Sequence, residues 1–252
     1  MKNSKFAALG LSVVLALGLV ACGSQTQEPK ENQQGGSGSV TTSPAPAESA
    51  PSSGNSVTDD FLKTITAETA EAKGVCGADL TWYYQDNVLV IKGTGEMNDY
   101  SSPMYDNVAP WRADEDTKIY TQINWVIIDK GVTSIGNNAF YDCSAISKVT
   151  LPNTLEKIGR RAFVCNFGSN HLREVIIPDS VTYIGETAFG ACCFETATFE
   201  GDAPEGAKYI AYSMRERDDQ GSVDNGVGTV YYRGSGFDEL IEQFPQVNWV
   251  KQ

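Results

Sequence analysis

Apolar positions recur in a fixed order through the middle of this chain. One stretch reads Ile123, Val126, Ile128, Val132, Ile135-Gly136, Ala139-Phe140, Cys143. A second reads Ile146, Val149, Leu151-Pro152, Leu155, Ile158-Gly159, Ala162-Phe163, Cys165. A third reads Leu172, Val175, Ile177-Pro178, Val181, Ile184-Gly185, Ala188-Phe189, Cys192. The Phe-to-Phe steps are 23 and 26 residues, and a truncated fourth copy follows with Phe194, Ala197 and Phe199. Self-similarity at a period of roughly 20 to 50 residues marks a fold of stacked repeats.

The local chemistry of one copy predicts its elements. Val149-Thr150-Leu151 alternates, so Val149 and Leu151 face inward and Thr150 faces out. Pro152 has no N–H to give to a ladder and ends the strand. Ile158, Ala162 and Phe163, with Cys165 or the next position, fall around one helical turn and point at the same core. Gly159 is expected to turn the chain with a left-handed backbone. One copy cannot bury both of its edges; stacked copies can, and the two ends need caps.

Ahead of the repeats, Leu80 to Tyr84 and Val88 to Ile91 are strand-like runs joined by Gln85-Asp86-Asn87, which predicts a β-hairpin. Gly93-Thr94-Gly95 is expected to end it. No third glycine and no helix follow, so this is not a phosphate-binding loop. Trp111, in Ala109-Pro110-Trp111, reads as an anchor into a core. Between Val57 and Lys73, Asp59 or Asp60 is placed to cap a short helix carrying Phe61, Leu62 and Ile65. Gly23 to Asp60 has only Val40 and Val57 as branched aliphatics and no aromatic residue, which predicts a disordered tether. Its reach is roughly 30–35 Å r.m.s..

At the N-terminus Lys2 and Lys5 precede an uncharged run from Phe6 to Ala21. As a helix that run is about 24 Å long, short of a comfortable membrane span, and it reads as a secretory signal. Leu19-Val20-Ala21-Cys22 resembles the bacterial lipobox. The resemblance implies cleavage before Cys22, lipid transfer to its sulfur, and anchoring to the outer face of the bacterial cell membrane. Several acyl chains at one cysteine give stable anchoring, where a single chain binds only marginally.

The repeat pattern, L-x-x-V-x-[IL]-P-x-[ST]-[VL]-x-x-I-G-x-x-A-F-x-x-C, resembles the BspA-like leucine-rich repeat family of bacterial surface proteins over residues 123–201. The stretch from Cys76-Gly77 to Trp111 is similar to the β segment that often precedes such repeats. Glu200 to Pro204, followed by Val230-Tyr231-Tyr232, is similar to their usual exit. The resemblance implies an extracellular solenoid used for adhesion or protein–protein contact, and no reaction. Two departures stand out: the second copy places its cysteine one residue early, and a three-residue insertion lies within Asn166 to Arg173.

The expected fold class is therefore mostly β with short helical turns. A short leucine-rich-repeat solenoid is preceded by a β-hairpin region and closed by a C-terminal cap. The expected organisation is a signal peptide at 1–21 and a lipidated Cys22 with its linker at 22–60. An N-terminal helix and hairpin cap follows at 61–122, repeats at 123–201, and a C-terminal loop and cap at 202–252.

Charge and composition then narrow the function. The chain carries 32 acidic and 19 basic side chains, a net charge of −13. Loss of Lys2 and Lys5 on processing leaves 17 basic residues and a balance of −15. Nucleic acid and anionic lipid surfaces need clustered Lys and Arg and are excluded as main partners. One histidine, His171, excludes any site built on several. A nucleophile needs a base held rigidly by a third group, and His171 sits in the insertion six residues after Cys165. Cys192-Cys193 with His171 does not supply a zinc set. Asp218, Asp219, Asp224 and Asn225 lack the ligand spacing of an EF-hand loop. No local pattern singles out a carboxylate pair for glycoside hydrolysis. A non-catalytic protein-binding or adhesion module is expected, with no cofactor beyond the covalent lipid on Cys22; the alternatives are an accessory or enzyme-associated envelope lipoprotein that binds carbohydrate or cell-wall polymer, or a structural envelope protein.

With Cys22 acylated, five cysteines remain. Cys143, Cys165 and Cys192 recur at like positions and are expected to serve as small, reduced core residues. Binding is expected on the outward strand face at Ile127, Thr150, Ile176 and Thr198, flanked by Trp125, Lys148 and Glu174. Exposed Trp125, Ile127 and Ile176 would form an apolar strip of the kind that marks interaction surfaces, unless a cap or loop covers them. The inserted loop with Phe167 and His171 is a second candidate, and Lys208 to Gly228 a third. The expected partners are the membrane, through the lipid, and a protein or carbohydrate ligand.

Overall fold

A β-hairpin opens the fold, as the alternating runs require. The computed structural model describes residues 62–102, 106–113, 116–165, 172–214 and 228–252. The expectations for the signal segment, Cys22, the tether, Phe61, Phe167 and His171 lie outside those residues. Strands β1 (Ala72–Val75), β2 (Gly77–Gln85) and β3 (Val88–Met97) pair antiparallel in that order. Asp86 and Asn87 both take positive φ, 50° and 65°, in the two-residue turn between β2 and β3. The Tyr84 hydroxyl donates to Asn87 Oδ1 at 3.0 Å and braces that turn.

Gly93-Thr94-Gly95 does not end the hairpin. Strand β3 runs through it to Met97. A Cβ at Gly93 would lie 2.0 Å from the Asp79 carbonyl oxygen, and the residue has φ 124°, so only glycine fits. The register shifts opposite this point, between Gly77 and Asp79. The bend lets one strand serve two sheets. Val88 to Ile91 pair in parallel with Trp125–Ile128 (β4), while Gly95 and Glu96 pair with Val132–Ile135 (β5).

The next three coils likewise each give one strand to a front sheet and one to a back sheet, and beyond them the front sheet continues alone. The front strands are β4, β6 (Lys148–Thr150), β8 (Glu174–Ile177), β10 (Thr196–Phe199), β11 (Thr229–Tyr232) and β12 (Asn248–Lys251). The back strands are β5, β7 (Lys157–Ile158) and β9 (Tyr183–Ile184), extended by a bridge from Tyr183 to Glu205. All these pairings are parallel. The back sheet runs unbroken from β3 to β9, whereas the front forms two ladders, one ending at β6 and one beginning at β8. The sequence insertion lies between those two strands. At that seam Val149 and Leu151 are only half-buried, while their counterparts Val126, Ile128, Val175 and Ile177 are fully buried.

The core between the sheets is an aromatic stack. Trp111, Phe140, Phe163 and Phe189 lie ring on ring, with centroids 5.1, 4.9 and 5.1 Å apart and planes within 13° of parallel. Trp111 therefore takes the place of a repeat phenylalanine, and its indole N–H donates to the Ala139 carbonyl at 2.9 Å. The segment from Val88 to Trp111 acts as a degenerate first coil. Asp99 Oδ1 accepts the Asn137 N–H at 2.8 Å, and Asn137 Oδ1 accepts the Arg160 N–H at 2.6 Å, so the cap imitates the coil above it.

The repeat glycine acts differently from expectation. Gly159 does not have positive φ; the residue two places later does, in every copy: Asn138 (53°), Arg161 (54°) and Thr187 (52°). Glycine is needed for space instead. A Cβ at Gly159 would sit 2.6 Å from the Asn137 nitrogen, and one at Gly185 would sit 2.4 Å from the Arg160 nitrogen. The left-handed residue then re-aims the backbone so that Phe140 and Phe163 donate N–H groups to Ala162 and Ala188 of the next coil, each at 2.7 Å. The Ser/Thr of the pattern also ties coils together. Thr154 Oγ1 accepts from the Gly131 N–H and donates to the Val132 carbonyl, and Ser180 Oγ donates to the Leu155 carbonyl at 2.7 Å.

Cys76, Cys143, Cys165, Cys192 and Cys193 are all buried and outside any disulfide. Burial pushes the Cys76 and Cys165 thiols up to about 12 and raises Cys143 well above its ordinary value. The start of the expected loop at Lys208 is a short helix, Lys208–Ala211, with Ile210 and Ala211 in the core; residues 215–227 lie outside those described. A second short helix, Asp238–Gln243, with buried Phe237, Phe244 and Val247 beside it, closes the far end against β11 and β12.

Candidate binding surfaces

Strand pairing arranges the front face into rows. Val90, Ile127 and Thr150 stand side by side across β3, β4 and β6. Ile176, Thr198, Tyr231 and Val250 stand side by side across β8, β10, β11 and β12. A flanking row carries Trp125 beside Lys148, and Glu174 beside Thr196, Thr229 and Asn248. Thus Trp125, Lys148, Thr150, Glu174, Ile176 and Thr198 do lie on one outward face, in two rows.

Ile127 does not present itself there. It is 1 % exposed, in a small apolar cluster with Ile65, Val88 and Val90, against which Leu62, Tyr83 and Trp125 pack. The segment around a helical turn at 62–64 lies over this part of the face. Lys92 fastens it by donating its ammonium to the carbonyls of Leu62 and Ile65, the latter at 2.8 Å. The cause is apolar area: Val88, Val90 and Ile127 make a patch that is stable only when covered.

Next to that cover, the face is closed by its own contacts. Trp125 is half-buried and its indole N–H donates to Thr150 Oγ1 at 3.0 Å. The Lys148 ammonium sits 4.0 Å from the centre of the Trp125 ring, a cation–π contact. Beyond the seam no described segment covers the face. Ile176 is 48 % exposed, Glu174 is exposed, and Thr198, Tyr231 and Val250 are half-buried in line with Ile176. Tyr231 and Val250 were not among the sequence candidates. The alternation of Val230-Tyr231-Tyr232 could have flagged Tyr231, but only the β10–β11–β12 pairing puts it beside Thr198.

The back sheet carries a second concave surface. An open groove of about 630 Å³ is bounded by Glu96, Asp99, Ser134, Asn137, Lys157 and Tyr183. Glu96, Ser134, Lys157 and Tyr183 are register neighbours on successive strands. Among the described residues, no group of three or more His, Cys, Asp or Glu is placed to hold a metal ion.

A family match overlaps these coils. Residues 118–210 match the description BspA type Leucine rich repeat region, in six copies. That match reaches past 123–201 on both sides and counts more copies than the phenylalanine pattern marks. No curated protein shows detectable similarity to the chain. Among solved structures, a leucine-rich repeat protein from Eubacterium ventriosum is similar at 23% identity and TM-score 0.39, over 53% of this chain and 39% of that one. The pneumococcal vaccine antigen PcpA is similar at 17% identity and TM-score 0.39, over 68% and 47%. A leucine rich cell surface protein from Faecalibacterium prausnitzii is similar at 15% identity and TM-score 0.32, over 74% of each chain. This chain spans less than half the length of the first two.

Proposed function

Residues 118–210 being a BspA type leucine-rich repeat region, we propose that the chain is a non-catalytic, protein-binding or adhesion module. It is held at the bacterial cell surface through a lipid on Cys22. The observation that carries the binding role is the open half of the front face. Ile176 projects from a rigid parallel sheet in register with Thr198, Tyr231 and Val250, while the equivalent apolar patch around Ile127 is covered. Scaffolds that recognise proteins use such rigid, partly apolar faces with an aromatic anchor and a polar rim. Here the rim is Glu174, Thr196, Thr229 and Asn248.

The test is capture of partner proteins from native membranes by the full chain and by the double variant Ile176→Asp, Tyr231→Ser. Loss of the captured protein, with an unchanged melting temperature, supports the reading; undiminished capture overturns it. The lipid anchor is tested separately by metabolic labelling with an alkyne fatty acid. Cys22→Ala is expected to abolish the label and release the protein from the membrane fraction. Persistence of both would overturn lipidation at this cysteine.

A further inference from the structure

We propose that the groove on the back sheet is a saccharide-binding site. The inference is independent of the front-face reading and rests on the chemistry the back strands project. Glu96, Ser134, Lys157 and Tyr183 occupy one outward row on β3, β5, β7 and β9. Strands lie roughly 4.8 Å apart, so Glu96 and Lys157, two strands apart, stand about 10 Å from one another with the small, almost buried Ser134 between them. Among the described residues no ion pair joins this carboxylate and this ammonium. Neither side chain, nor that of Asn98 beside them, has a hydrogen bond or ion pair with another described residue. Tyr183 follows on the next strand, 38 % exposed, with no aromatic neighbour in contact among the described residues.

The groove walls are fixed before any ligand arrives. Asp99 and Asn137 are each held by a backbone N–H of the next coil, at 2.8 and 2.6 Å. The floor is a hydrogen-bonded ladder whose backbone groups are already paired, so an extended peptide cannot add to it as a strand. Recognition must come from side chains: a carboxylate that accepts, an ammonium that donates, amides that do both, and a ring with an apolar face and a hydroxyl tip. That set suits a ligand rich in hydroxyls with flat apolar faces, which is a sugar ring. Glu96 and Asp99 outnumber Lys157, and the whole chain is acidic, so an anionic polymer is disfavoured. The row crosses four successive strands, which suits several linked units.

The test is calorimetric titration of the purified full chain with three hexasaccharides: β-1,4-linked glucose, β-1,4-linked N-acetylglucosamine and α-1,6-linked mannose. Saturable binding of at least one is expected. Tyr183→Ala should weaken it about tenfold through loss of the ring face. Glu96→Gln and Lys157→Gln should each weaken it by about threefold to tenfold through loss of charged hydrogen bonds to hydroxyls. Ile176→Asp, on the opposite sheet, should leave it unchanged. All four side chains lie on the surface, and an unchanged melting temperature verifies each variant. Failure of all three sugars to bind the unaltered chain overturns the proposal, as does equal binding by Tyr183→Ala.

Discussion

The front and back sheets are built from the same coils and yet differ. Back strands of two residues, Lys157–Ile158 and Tyr183–Ile184, continue their ladder past the insertion. Front strands are longer in the same coils, three residues in β6 and four in β8, and there the ladder is interrupted. Strand length therefore does not set the spacing of the coils. The contacts beside the back sheet do: glycines that let one backbone lie against the next, a left-handed residue two places on, and flat rings stacked about every coil. The insertion enters on the side that lacks these constraints, where Val149 and Leu151 can open toward solvent without disturbing the stack.

Breaking that contrast should be hardest at its centre. Phe163 is stacked on both Phe140 and Phe189, so Phe163→Ala removes the link that spans the seam. It should cost about 4 kcal/mol in denaturant unfolding, or uncouple the two halves into separate transitions. Gly159→Ala should cost about 2–3 kcal/mol, because the added Cβ meets backbone rather than a movable side chain. Arg161→Gly, two residues away at φ 54°, should instead be neutral or gain up to about 1 kcal/mol. If the two glycine-related variants behaved alike, close packing would not be the reason for the repeat glycine.

Smaller effects sharpen the same comparison on the front side. Val175→Ala, in a fully buried position, should cost about 2 kcal/mol, and Val149→Ala at the seam about 1 kcal/mol. Thr154→Ala removes both hydrogen bonds between its coil and the one before and should cost about 1 kcal/mol. The thiols give the weakest effect at neutral pH. Cys76 and Cys165 ionise near 12 in the fold against an ordinary 9, so their burial favours folding fully below about 9. That contribution is lost as the pH rises toward 12, because only the unfolded chain readily releases those protons. Melting temperature should accordingly fall between these values. Native protein at neutral pH should leave both thiols unmodified by an aromatic disulfide reagent until denaturant is added.

The repeat was legible because its residues answer to local rules. Alternation around Val149, Val175 and Ala197 marked the strands, and the recurring Ala-Phe marked the core. Asp86-Asn87 marked a turn that only two strands could flank. The role of glycine was misread for a physical reason: a close approach to a neighbouring coil is a property of two chain segments, and one segment's sequence shows only that a side chain is missing. Gly93 was misread in the same way, since the Asp79 carbonyl that leaves no room for a Cβ there belongs to the neighbouring strand. Trp111 was recognised as an anchor, but its place in line with Phe140 emerged only from the stack.

For the binding surfaces the division is similar. The sequence by itself determined which residues of the front strands point outward, because side chains alternate along a strand whatever lies beside it. It also determined the acidity that any partner must meet. Only the tertiary structure decided which outward residues are available. Ile127 is covered because a segment some 60 residues earlier folds over it, and Ile176 is open because nothing described crosses it. The row from Glu96 to Tyr183 spans 88 positions of sequence and three strand pairings, so no local pattern could bring those side chains together. Local periodicity fixes the direction of a side chain; contacts between distant segments fix whether it meets solvent, and which neighbours share its surface.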